Sequence, residues 1–440
     1  MLDIMEKVNR EENTQENVPG KKKLAGRVTK GQFFSTSLGI EKTYRIYLPP
    51  GYAESNHRYP VVYLFRGHED EWFNPGQDDT RGGSSVEDLA NELIGNGEIG
   101  EMIIVGVGLT SEDNQIHGLG VNFLNPGLVR KRKGIGSGQF ENFFVKDLIG
   151  HIDTTYRTLP SPDARALDGF SLGGFSSLMF ALKYPHLFTS IGSYDGSFMF
   201  YNLQDPRIGE GDCRDHLWLR DDSMFAPAFR PPGKKKYDRE YMLTYSVGNI
   251  LENYPEKQKQ QLSSLRFFIT CAAYDGFQGN RDRSVHLMTL LQLHGLQNSA
   301  PSLILANDAL HNWKFADLHL RKSLPFHSAS FGYSPPTAES MFPNSYLEHL
   351  EVISIANSRV GGERPQLFFH VYKKMKIRVE ILTSTEKVIR LVLNKTLTPG
   401  NYQISWDGKD QSGRMVSSGV YTVRMITPEG ILPLRVLWLQ

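Results

Sequence analysis

Residues 168–177 read DGFSLGGFSS and set Ser171 between Gly169 and Gly173 in a Gly-x-Ser-x-Gly pattern. A serine hydroxyl is a weak nucleophile. Acyl transfer therefore requires a base to take its proton, a carboxylate to orient that base, and N–H donors aimed at the developing oxyanion. The five-residue pattern alone also recurs in loops that do no chemistry. Its setting gives it weight here: a strand-like run, RALDGF at 165–170, precedes Ser171, and Phe175, Leu178, Met179 and Leu182 follow at helical spacing. Glycine on either side keeps Cβ atoms out of the sharp strand-to-helix turn that would hold Ser171 exposed.

Each partner of such a serine has a candidate further along the chain. Asp275, in CAAYDGF, falls just beyond the strand-like LRFFITCAA (265–273) and is the expected acid, although an aspartate beside glycine is also an ordinary turn residue. His311, in NDALHNWKF, follows the run SLILAN (302–307) and is the expected base; His286 and His294 fall on the preceding helix, and His319 and His327 lie further downstream. The order serine, aspartate, histidine and the three strand-end positions agree with one another. For the oxyanion, Leu172 offers a backbone N–H at a helix N-terminus. The second donor is expected from the loop RGHEDEW after YPVVYLF, as the N–H of His68. Trp72, Phe170 and Trp313 are candidate walls of a substrate pocket, each serving equally well as packing. His68, Glu69 and Asp70 could be read with Asp78 and Asp79 as a metal cluster, but the spacing does not suit zinc, and neither a metal nor a cofactor is expected.

These residues need a rigid frame, and the chain alternates strand and helix signals that supply one. TYRIYLPP (43–50), YPVVYLF (59–65), EMIIVGVG (101–108), RALDGF and FTSIGSYD (188–195) are strand-like, and apolar residues recur at helical spacing from Gln139 to Tyr156 and from about Arg281 to His294. Such alternation predicts an α/β protein with a mostly parallel sheet covered on both faces. Residues 196–264 break the rhythm with charge, aromatics and proline, and are expected to fold as a lid-like helical insertion. From 326 to 345 serine and proline dominate, which suits a linker. The runs beyond it are separated by glycine, proline and asparagine turns and predict a small all-β sandwich over 346–440.

Composition excludes several classes. The 440 residues carry 49 Lys+Arg against 48 Asp+Glu, so there is no charge argument for nucleic acid or an acidic membrane. Two cysteines are too few for a disulfide framework. Residues 1–26 form a polar tail without the apolar stretch of an export signal, and no run of about 18 apolar residues could span a membrane. That pattern predicts a cytoplasmic chain, with an extracellular location left open if the natural start differs.

The stretches RIYLPPGYAESNHRYPVVYLFRGHED, ALDGFSLGGFSSLMFALKYPHLF and HNWKF resemble the esterase family of α/β-hydrolases that includes feruloyl and acetylxylan esterases, S-formylglutathione hydrolase, enterochelin-type esterases and mycolyltransferases. The resemblance covers roughly residues 27–325 and implies an α/β-hydrolase fold, the triad Ser171, Asp275 and His311, and an oxyanion hole at Leu172 and His68. Two positions depart from the family pattern: Arg66 stands where many members have histidine, and Asp195 stands where serine is frequent. The segment VIRLVLNKTLTPGNYQISWDGKDQSGRMVSSGVYTVRMIT is similar to the immunoglobulin-like domain of flagellar hook-capping proteins and to C-terminal modules of bacterial secreted enzymes. Trp406 within it reads as sandwich core rather than a sugar platform. The implied activity is serine carboxylic ester hydrolysis, on a small-molecule or a polymer-linked feruloyl or acetyl ester. An acyltransferase using the same triad, an enterochelin-type siderophore esterase and a non-catalytic binding protein are the alternatives. The sandwich is expected to contact a surface, a polymer or a second subunit, or to brace the catalytic domain.

Overall fold

The runs VVYLF, IIVGV, RALDG and SIGSY are buried at every position, the pattern of parallel strands covered on both faces. In the computed structural model they form the centre of a seven-stranded sheet. The structure describes residues 25–198, 222–255, 259–272, 280–296, 310–334, 350–356, 364–371, 373–383, 387–428 and 430–438. The strands are β1 (Arg27–Ser35), β2 (Ile40–Leu48), β3 (Val61–Phe65), β4 (Ile103–Val107), β5 (Arg165–Gly169), β6 (Ser190–Tyr194) and β7 (Arg266–Thr270), in the order β1-β2-β4-β3-β5-β6-β7. β1 and β2 form an antiparallel hairpin on one edge, and from β4 to β7 all neighbours run parallel. The loops after β3, β5 and β6 therefore emerge at one end of the sheet, where a site can form.

Helices α1 (Val86–Gly95), α2 (residues 140–155, with a π segment over Phe143–Leu148) and α3 (Leu172–Lys183) cover the two faces. α3 is buried along nearly its whole length, from Leu172 to Leu182, so its apolar residues form no narrow stripe. The described part of the 196–264 insertion contains α4 (Asp222–Phe229), α5 (Arg239–Leu243) and α6 (Val247–Glu252). They bury Phe225, Phe229, Val247 and Leu251 in the same apolar cluster as Phe175 and Phe180 of α3. Tyr245 Oη also donates to the buried Glu141 at 2.7 Å. This part of the insertion is a packed layer of the core.

Beyond β7 come α7 (Asn280–Leu293) and α8 (Trp313–Ser330). α8 corrects the linker expected from residue 326. The helix runs through Pro325 and buries Phe326, His327 and Ser328 before ending at Ser330. Its serines, histidines and proline gave the segment a linker-like composition, yet its polar side chains face inward. The expected strand 302–307 lies outside the described residues, as does residue 213 with its cysteine.

The C-terminal segment forms a four-stranded sheet, β11-β10-β13-β14, and a three-stranded sheet, β12-β9-β8. Its strands are β8 (Leu350–Ala356), β9 (Gln366–Val371), β10 (Met375–Leu382), β11 (Val388–Leu397), β12 (Gly400–Ser405), β13 (Gly419–Thr427) and β14 (Gly430–Trp438). Phe369, Ile377, Val379 and Met425 pack between them around Trp406. The Trp406 ring meets Tyr421 edge-on at 4.9 Å, and its Nε1 donates to the Lys409 carbonyl at 2.9 Å. Trp406 is therefore core.

Candidate active site

The turn between β5 and α3 forces Ser171 to φ 59° and ψ −119°, a region that non-glycine residues rarely enter and that costs about 1–3 kcal/mol. The surroundings hold it there. Ser171 N donates to the Tyr194 carbonyl at 3.0 Å, and its own carbonyl accepts from Phe175 N at 3.2 Å and Ser197 N at 3.1 Å. Glycine is required on both sides for a measurable reason. A Cβ at Gly169 would lie 2.3 Å from the Gly173 carbonyl, and one at Gly173 would lie 2.0 Å from the Phe65 carbonyl oxygen and 2.7 Å from Arg66 N. These contacts press the first turn of α3 against the start of the loop that carries His68. The backbone N–H of Leu172 sits in that turn, where the helix dipole favours an anion.

His311 lies immediately before the N-cap of α8. Asn312 caps the helix by accepting from Phe315 N at 3.2 Å, and the loop after β3 supplies two more acceptors. These are Asp78 Oδ2 for Trp313 N at 3.3 Å and Thr80 Oγ1 for Lys314 N at 3.2 Å. The ring of His311 packs on Phe170 at 4.7 Å between centroids, next to Ser171 in the chain. Its Nδ1 makes a short hydrogen bond to Asp195 Oδ2. Asp195 is fully buried at the end of β6, at φ 48°. Its N–H donates to the Thr270 carbonyl at 2.8 Å and its Oδ1 accepts from Ala272 N at 3.2 Å, so the end of β7 holds both its backbone and its carboxylate. Asn280 Nδ2 also reaches His311 Nδ1, at 3.3 Å. Asp275, expected from chain order as the acid, lies outside the described residues. The sequence signal for Asp195 is its position: an acid at the C-terminal end of the strand beside the nucleophile strand, inside the segment whose neighbours contact Ser171.

Trp72, Phe170 and Trp313 form a buried aromatic stack, not an open wall. Trp72 meets Trp313 edge-on at 5.0 Å and donates Nε1 to the Phe65 carbonyl at 3.0 Å, and Phe170 meets Trp313 at 5.4 Å. Of the two readings the sequence leaves open for these aromatics, pocket wall or packing, their burial fits packing. Arg66 lies over the Phe170 face with its guanidinium carbon 5.2 Å from the ring centroid. Burial and the nearby Arg66 charge push the His117 imidazole down to about 4, so that ring is neutral over most of the pH range.

Of the groups around the loop after β3, His68, Glu69 and Asp70 each bring one potential ligand atom within 4.8 Å of the others. Protein donors already engage both carboxylates: Arg45 binds Asp70, Thr43 binds Glu69, and Lys30 lies 3.8 Å from Glu69. Asp78 belongs to the α8 cap. No helix among the described residues is long and apolar enough to cross a membrane.

A mostly parallel sheet, a strained serine between β5 and α3, and a histidine–aspartate pair packed on the adjacent Phe170 fit an α/β-hydrolase fold. Residues 35–236 match the family described as "Putative esterase", and residues 373–429 match the FlgD immunoglobulin-like domain. Protein YjcH of Bacillus subtilis is 32% identical over 241 residues, covering 54% of this chain and 84% of that protein. The chain belongs to this esterase family. It is also 28% identical over 167 residues to esterase Rv1288 of Mycobacterium tuberculosis, covering 38% of this chain, and it spans 31% of the length of that relative. A solved ferulic acid esterase superposes with a TM-score of 0.53 at 21% identity, covering 70% of this chain and 100% of that one.

Proposed function

We propose that the chain is a cofactor-independent serine carboxylic ester hydrolase with Ser171 as nucleophile, His311 as base and Asp195 as the carboxylate that orients it. The observation that carries this reading is the strained Ser171 together with a histidine that packs on the preceding Phe170 and whose Nδ1 is held by a fully buried carboxylate. With Nδ1 turned to Asp195, Nε2 is the nitrogen that takes the Ser171 proton as Oγ attacks the ester carbonyl. The N–H groups of Leu172 and His68 receive the oxyanion, and each such donor contributes on the order of 3 kcal/mol to the transition state. The imidazolium then protonates the leaving alcohol, and water repeats the sequence on the acyl-enzyme. Asp195 keeps the serine, aspartate, histidine order while moving the acid one strand earlier than Asp275.

The substrate we favour is a feruloyl or acetyl ester, free or linked to a polysaccharide. Support comes from the fold shared with a ferulic acid esterase and from the accessory sandwich, a kind of module that accompanies polymer-active enzymes. The test is hydrolysis of p-nitrophenyl acetate, butyrate and octanoate and of methyl ferulate by the wild type and Ser171→Ala. Turnover that falls by several orders of magnitude in the variant supports the reading, and the panel ranks the acyl group. No turnover, together with no fluorophosphonate adduct on Ser171, rejects it.

A further inference from the structure

We propose that α8 is a positioning element whose anchor is Asp168, a buried carboxylate three residues before Ser171. This rests on the reading that Ser171 and His311 perform the chemistry. Asp168 is fully buried on β5, yet it accepts four hydrogen bonds. Gly169 N at 2.7 Å and His319 Nε2 at 3.0 Å reach Oδ1, while His327 Nε2 at 3.0 Å and Ser323 Oγ at 2.5 Å reach Oδ2. Three of the four donors come from α8, spaced i, i+4, i+8, which places them on one face of the helix. The second nitrogen of each ring is also used. His319 Nδ1 lies 2.7 Å from Thr270 Oγ1 on β7, and His327 Nδ1 lies 2.7 Å from Ser190 Oγ on β6. Two fully buried imidazoles thus fasten α8 to three adjacent strands.

A second attachment ties the same helix to the loop after β3. Arg81 binds Asp317 of α8 through Nε and Nη2, both at 2.9 Å, and binds the carbonyls of Glu71 at 2.6 Å and Trp72 at 2.7 Å. α8 therefore touches the strand that presents the nucleophile and the loop that presents the His68 N–H, and it begins two residues after the base. Apolar packing would hold a helix against a sheet but tolerates sliding, whereas hydrogen bonds to one carboxylate are directional and set its register. At 1.5 Å per residue, His319 lies about 9 Å along the axis from Trp313, so a slip or tilt at Asp168 is delivered directly to His311. A misplacement of about 1 Å can cost about a hundredfold in rate. His319, Ser323 and His327 are thus positioning residues.

The experiment compares Ser323→Ala, Ser323→Thr, His319→Gln and His327→Gln with a control at the opposite end of β5. The control is Asp153→Asn, which breaks the pair between Asp153 and Arg165. Tm, kcat, KM and the rate of fluorophosphonate labelling of Ser171 are measured well below the lowest Tm. The histidine variants are expected to lose about 10- to 100-fold in both kcat and labelling rate with KM changed less than about threefold, and Ser323→Ala about three- to tenfold, with Ser323→Thr restoring the rate. Asp153→Asn should lower Tm with kcat held within about twofold. The inference is overturned if Ser323→Ala and whichever histidine variants fold keep kcat and labelling within about twofold while Tm falls as in the control. Wild-type protein that is never labelled at Ser171 overturns the underlying reading as well, a separate and recognisable result.

Discussion

Two histidine–aspartate contacts sit one strand apart and serve different ends. At Asp168 two imidazoles spend both ring nitrogens on the protein, and all three side chains are fully buried. At Asp195 a single imidazole offers Nδ1 to the carboxylate, and its side chain is 14% exposed. The first arrangement fixes atoms, and the second holds a partly exposed ring packed on Phe170, the residue before the strained Ser171. Similar side-chain chemistry serves as a clamp at Asp168 and, in the function proposed above, as a catalytic pair at Asp195.

The sharpest way to break this comparison is to neutralise the two candidate acids in turn. Asp195→Asn is expected to reduce kcat by about 10³- to 10⁴-fold, as when a triad aspartate is neutralised, while Asp275→Asn leaves kcat within about threefold. If Asp275→Asn is the crippling change, the contact at Asp195 is structural too, and the contrast with Asp168 dissolves. Next comes stability. Asp168→Ala strands two buried imidazoles without their acceptor and should cost about 3–5 kcal/mol in urea unfolding, far more than Asp195→Asn. An equal loss at both sites would mean that the two contacts do the same job.

Acidity distinguishes them more finely. Burial by itself would raise the Asp168 carboxyl, but the charge and hydrogen bonds of His319 and His327 outweigh it and hold the group well below the usual carboxylate range. A depressed folded-state value means that this stabilisation is present above about pH 4 and is lost as the pH falls further. Tm of the wild type should therefore drop more steeply below about pH 4 than Tm of Asp168→Asn. Asp317 behaves in the opposite sense: burial lifts its carboxyl to about 6 despite the Arg81 charge. Its contribution is largest below about pH 4 and lost as the pH rises through about 6, so Asp317→Asn should flatten that interval. The smallest effect on catalysis is expected in the sandwich. Trp406→Ala should destabilise that domain by about 3–5 kcal/mol and leave kcat unchanged, and a loss of turnover would show that the two domains share more than a chain.

Much of this arrangement is legible in the amino-acid sequence where a single physical demand selects residue type. The central strands show as unbroken apolar runs because both faces are covered. Ser171 shows because only glycine fits at 169 and 173, and His311 because it follows the last strand signal. β1 does not announce itself: on the sheet edge, its residues alternate between exposed and half-buried positions and include Lys30 and Gly31. α8 is masked by its buried polar face, since His319, Ser323 and His327 occupy inward positions that leucine would ordinarily take. The acid is the least legible member, because chain order requires only a carboxylate between the serine and the histidine, a condition Asp195 and Asp275 both satisfy.

The geometry of Ser171 has an evolutionary consequence. Glycine tolerates φ 59° without strain, so Ser171→Gly should raise Tm while abolishing turnover. The fold would be more comfortable without this serine. A lineage released from the need for this chemistry would be drawn toward glycine at position 171, and the serine persists only while its product is worth more to the cell than the stability it forfeits.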